Sequence, residues 1–130
     1  MVYIDKIESF AKQMQCEISY RNEADGILVL DNEQDGIHNL ILGVAPPILI
    51  MEMYLFSFKE DNVQMFKTLL QKNRDTLHGA FVLNEEGTKV LFRYTMQLEA
   101  LDFNEFEGAI NAVGLLLSEF APNIIEYSKY

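Results

Sequence analysis

The sequence is poor in cysteine, proline, basic residues and long apolar runs, and each shortage excludes something. Cys16 is the sole cysteine among 130 residues, so no intrachain disulfide framework can hold the fold. With the three prolines confined to positions 46, 47 and 122 and no tryptophan, the chain has neither a proline-rich linker nor a low-complexity segment. Apolar runs such as residues 48–51 are short and soon broken by Glu52. They fall far below the ~20 residues that cross a bilayer. The start, Met-Val-Tyr-Ile-Asp-Lys, lacks the basic and then apolar stretches of a secretory signal. These features predict a cytoplasmic protein. Ten basic residues stand against twenty acidic ones, a formal charge of −10. That surface repels phosphate backbones and anionic headgroups, which argues against nucleic acid and membranes as partners.

What is present is enough for one domain over residues 1–130. Apolar residues make up 49% of the chain, with nine Phe and six Tyr, and a domain of this size buries roughly two-thirds of its unfolded surface. Tyr3, Ile4, Ile7, Phe10, Ala11 and Met14 recur at helical spacing and predict a helix over 3–15. Residues 17–25 are polar and ambiguous. Strands are predicted over 27–30, 37–44 and 48–58, with Asp35-Gly36 as a turn and Pro46-Pro47 as a break. Asp61-Asn62 offers N-cap oxygens for a helix whose core stripe reads Val63, Phe66, Leu69, Leu70, Asn73 and Leu77, ending near Gly79. Strands over 80–83 and 89–96 flank a glycine turn at Gly87. A final helix follows the Asp102/Glu105 capping spacing, with Phe103, Phe106, Ile110, Val113, Leu117 and Phe120 in one stripe and Pro122 as its stop. The reading is an α+β domain with a mainly antiparallel five-stranded sheet and three helices, in the order α-β-β-β-α-β-β-α.

Motifs for chemistry are few. Residues 31–36, Asp-Asn-Glu-Gln-Asp-Gly, resemble the start of an EF-hand loop, but the twelfth position is Leu42 instead of a bidentate Glu, and strands replace the flanking helices. His38 and His78 with one cysteine do not make a zinc site. His78 has a plain role beside a helix C-terminus, and Cys16, followed by Glu17 in an acidic chain, reads as an ordinary thiol. No phosphate loop, nucleophile elbow or dinucleotide fingerprint occurs. The chain therefore reads as a non-enzyme without cofactor or metal.

The stretch 48–58 is the informative one. Ile48, Ile50, Tyr54, Phe56 and Phe58 alternate onto one face around Glu52, while Leu49, Met51, Met53 and Leu55 fall on the other. A half-wet antiparallel strand should alternate apolar with polar residues. This one is apolar on both sides, so both faces need cover. Leu49, Met51, Met53 and Leu55 are the candidate protein-interaction surface, because methionine suits adaptable contacts.

From Leu69-Leu70-Gln71-Lys72-Asn73, through Gly79-Ala80-Phe81-Val82-Leu83 and Gly87-Thr88-Lys89-Val90-Leu91-Phe92, to the closing helix, the sequence resembles the YbjN-like family, whose fold is that of the type III secretion chaperones. The resemblance implies a homodimer with an apolar groove that binds a segment of a client protein. Asn73 reads as a buried amide bonded to the adjoining strand. Two other readings stand beside the chaperone or adaptor: an acidic inhibitor or immunity-type protein that neutralises a basic partner, and a small-molecule sensor built around Glu52, whose plainer role is to pair with Arg93 or a lysine.

Overall fold

A computed structural model gives the fold of residues 2–129. The chain runs α1 (Val2–Gln13), β1 (Glu17–Asn22), β2 (Ile27–Asn32), a 3-10 turn (Glu33–Asp35), β3 (Ile37–Ala45), β4 (Ile48–Ser57), α2 (Val63–Asp75), β5 (Ala80–Leu83), β6 (Lys89–Gln97) and α3 (Phe103–Tyr127). The α+β class and three helices are as expected, but the sheet has six strands, not five, in the order β1-β2-β3-β4-β6-β5. Every neighbouring pair is antiparallel. The additional strand is β1, drawn from the segment read as ambiguous. It lies at the sheet edge with only Ile18 and Asn22 half-buried. A strand with so little to hide shows no alternation for a periodic reading to detect.

Neighbouring elements join through tight connections. Asn32 caps the 3-10 turn and Gly36 closes it with φ of +72°. Pro46 and Pro47 form a two-residue turn that leaves Ala45 opposite Ile48. A Cβ on Gly26 would lie 2.5 Å from the Val44 carbonyl oxygen, and the Val44 N–H donates to the Gly26 carbonyl at 2.7 Å. Glycine lets the β1–β2 corner press against β3.

All three helices lie on one face of the sheet. Phe10 of α1 packs against Phe103 and Phe106 of α3, Phe66 of α2 against Phe58, and Phe120 of α3 against Phe81. The core between these layers holds Leu28, Leu30, Leu40, Leu42, Leu49, Met51, Val90 and Phe92. Burial of a leucine-sized side chain stabilises by about 1.5–3 kcal/mol, so this layer carries most of the stability. A Cβ on Gly114 of α3 would sit 2.6 Å from the Asp35 carbonyl oxygen, so glycine admits the 3-10 turn against that helix.

Three local expectations are corrected. Pro122 does not end α3; the helix continues through it to Tyr127. Proline forfeits one helical hydrogen bond, but Tyr127, beyond it, is buried against Phe56 and Phe120, and this packing outweighs the loss. The α2 stripe is rotated: Met65 and Leu69 are buried, whereas Leu70 is 70% exposed and Leu77 93%, with Val63 also exposed. His78 does not serve the end of α2. Thr76 does, donating its hydroxyl to the Lys72 and Asn73 carbonyls at 2.9 and 3.2 Å, while His78 stacks on Tyr94 with its Nδ1 3.1 Å from the phenolic oxygen. Among the described residues α3 alone is long and apolar enough to cross a membrane; here its apolar stripe faces the core.

Candidate protein-binding surfaces

The face of the sheet turned away from the helices is apolar and uncovered among the described residues. The ladder registers assemble it in rows: Ile27 beside Gly43 beside Ile50, then Tyr20 beside Val29 beside Ile41, and Tyr54 beside Leu91 beside Val82. Tyr20, Ile41 and Tyr54 are exposed, and Ile27, Val29, Ile48 and Ile50 are half-buried. Glu52 lies opposite Arg93 in this surface, and the two side chains pair at 3.0 Å. The pairing expected of Glu52 is therefore made, and the pair adds no net charge to the face.

The interaction surface anticipated at Leu49, Met51, Met53 and Leu55 is placed differently. Leu49, Met51 and Met53 are only 0%, 1% and 8% exposed; they point into the helix layer and belong to the core. Leu55 is half-buried at a bulge between Tyr54 and Phe56. An extra residue there changes the phase of the strand. Phe56 and Phe58, which strict alternation places beside Ile50 and Tyr54, are consequently buried in the core. The strand is apolar on both faces as read, but alternation does not reveal which face the helices take.

A second apolar surface runs along the β5 edge, missed because α2 was read a part-turn out of phase. Leu70 and Leu83 are exposed there and line an apolar hollow of about 140 Å³ with Phe66, Leu69, Phe81 and Val82, while the exposed Leu77 lies by a separate hollow with Ala80 and Arg93. Asn73 fixes α2 to this strand. Its Nδ2 donates to the Phe81 carbonyl at 3.1 Å, and the Phe81 N–H donates to Asn73 Oδ1 at 2.7 Å, the bonded amide expected. The opposite edge differs. On β1, Arg21 pairs with Asp5 and Glu8 of α1, and charges of this kind discourage edge-to-edge association.

The candidate chemical residues sit apart. Asp31 accepts the Asn39 N–H at 3.0 Å and lies 3.2 Å from His38 Nδ1. The Asn39 backbone hydrogen bond chiefly, with smaller help from Ser19 and His38, holds its carboxyl below the ordinary range. Leu42, the twelfth position of the EF-hand-like stretch, is in the core. Cys16 is buried, and desolvation, reinforced by Asp35, pushes its thiol up despite a hydrogen bond from Asn32. A raised thiol is a poor nucleophile at neutral pH.

An antiparallel sheet with three helices on one face, entered by α1 and closed by α3, defines a type III secretion chaperone-like fold. The CesT_Tir_1 family model matches residues 1–130, and the chain belongs to that family of type III secretion chaperones. No curated protein matches the chain by sequence. Among solved structures it is similar to YbjN from E. coli, with TM-score 0.66, 10% identity, and 92% of each chain covered. It is similar to a chain of the heterodimeric ExoU–SpcU complex from the type III secretion system of Pseudomonas aeruginosa, with TM-score 0.67, 13% identity, and 89% of this chain and 95% of that one covered. The Yersinia pestis type III secretion chaperone SycH, in complex with a stable fragment of YscM2, gives TM-score 0.60 and 14% identity over 97% of this chain and 99% of the matched one. At these identities the likeness is one of fold.

Proposed function

We propose that this chain is a cytoplasmic, non-catalytic, single-domain chaperone-like module that works as a homodimer and holds an apolar segment of a client protein. The observation that carries the reading is the uncovered sheet face, where Ile27, Val29, Ile41, Ile48, Ile50 and Tyr54 form one surface that no helix covers among the described residues. Covering it gains roughly 25 cal/mol per Å² of apolar area before the costs of association. Membership of a secretion chaperone family supports the same reading. The second copy is assigned to the β5 edge. An apolar edge strand without charges is open to pairing, and a two-fold axis lets two identical edges close on each other.

Two variants test the reading. Light scattering of the wild type should give twice the 15.0 kDa protomer mass, and Leu70→Glu should return it to a monomer that still melts cooperatively. A wild type that stays monomeric at 100 µM and above, on the order of the upper range for a specific weak pair, overturns the homodimer. Ile41→Glu, on the sheet face, should keep the dimer but lose the partner that co-purifies with the wild type from its host. Retention of that partner by Ile41→Glu overturns the client surface.

A further inference from the structure

Gly43 lies in the middle of the open face, between Ile27 on β2 and Ile50 on β4. Glycine weakens a strand interior and often marks a place where another group approaches closely. Gly26 and Gly114 are glycine because a Cβ would collide with backbone at 2.5 and 2.6 Å. Gly43 has no such reason. A Cβ there would meet nothing nearer than the Ile50 Cβ at 3.8 Å, and its φ lies outside the left-handed region. The missing side chain leaves a dent in an apolar surface, walled by Ile27 and Ile50 across the strands and by Ile41 and Ala45 along β3.

We infer that Gly43 floors an anchor pocket that accepts one branched apolar side chain from an amphipathic helix of the client. The inference rests on the reading that the open face takes the client. The helix follows from the backbone. Strands β2, β3, β4 and β6 are paired on both sides, so the centre of the face offers no free backbone groups. An extended segment laid across it would bury unpaired N–H and C=O groups, whereas a helix satisfies its own. Size points the same way. With strands about 4.8 Å apart and residues about 3.3 Å apart, the apolar area is roughly 20 Å by 20 Å. That is about half of the ~800 Å² per partner of a standard interface between folded proteins; its length takes three or four turns of a helix, which at about 10–12 Å wide covers the half of the patch centred on Gly43. The Glu52–Arg93 pair leaves the face neutral, and the charge of −10 around it favours lysines on the outer side of the helix.

The test uses the full chain and a fluorescein-labelled amphipathic helical peptide, with Leu and Ile on one side and Lys on the other, read by anisotropy. Gly43→Val should weaken binding tenfold or more and Gly43→Ala by less, while the melting temperature holds or rises. If Gly43→Val fails to fold, Gly43→Ala carries the test, because its Cβ has room. Binding that falls in Ile41→Glu but not in the folded Gly43 variants overturns the anchor pocket and leaves the client face standing. Wild-type binding that is absent below millimolar peptide, or untouched by any of the three substitutions, overturns both. An extended peptide of alternating apolar residues that binds as tightly overturns the helix. A wild-type assembly that loses mass in Gly43→Val overturns the client as occupant, because a second copy then fills the dent.

Discussion

On β4, Leu49, Met51 and Met53 point toward the helices, while Ile48, Ile50 and Tyr54 point away. The two sets are about equally apolar, yet the first is sealed and Tyr54 is 50% exposed. What differs is the cover. Contacts among α1, α3 and the α2 end place all the helices over the first set. The contrast teaches that hydrophobic content identifies a strand that needs two partners, and chain connectivity decides which partner is internal.

Substitution on the two faces gives the largest expected effect. Met51→Ala leaves a cavity in a sealed core and should cost about 2–5 kcal/mol, whereas Ile50→Ala on the open face should cost about 1 kcal/mol or less in the isolated protein. Chemical denaturation measures both, and equal losses would erase the distinction between the faces. The next effect concerns the edge, not the faces. Asn73→Ala removes both hydrogen bonds to Phe81 and should cost about 1–3 kcal/mol, with faster amide exchange across β5 and unchanged exchange in β2 and β3. Exchange that quickens throughout the sheet would mean that α2 supports more than its own edge.

Much of this arrangement can be read from residue types. The caps at Asn62 and Asp102 form as expected, each side chain accepting the N–H three residues on. The turns at Gly36 and Gly87 and the amide of Asn73 follow equally local rules. The misreadings share a different cause: tertiary context acting against a local signal. β1 is polar because an edge strand hides little. Pro122 is tolerated because Tyr127 is anchored beyond it. The stripe on α2 is out of phase because Leu70 and Leu77 are apolar without being buried. The candidate surface fell on the wrong side of β4 because alternation is symmetric between two apolar faces.

The smallest expected effect lies at the β2–β3 turn, far from both comparisons above. The Asp31 carboxyl is held below its ordinary range, first by the Asn39 N–H. Its contribution to stability is therefore fully present above the ordinary carboxylate pKa of about 3.9. It is lost as pH falls through the lower folded value. Asp31→Asn should melt slightly below the wild type at pH 7, and the two curves should converge in acid. A gap that widens on acidification would place the stabilising charge elsewhere.

The extra residue at Leu55 behaves as a frameshift written into three dimensions. Upstream of it the odd-numbered positions of the strand face inward, and downstream the even-numbered ones do, so one continuous segment is spelled in two registers. Deleting Leu55 would leave Phe56 and Phe58 inward by plain alternation from Met53, whereas pairing the strand at its present length without the bulge would turn both outward. The bulge, not the order of the side chains, thus keeps both phenylalanines in the core.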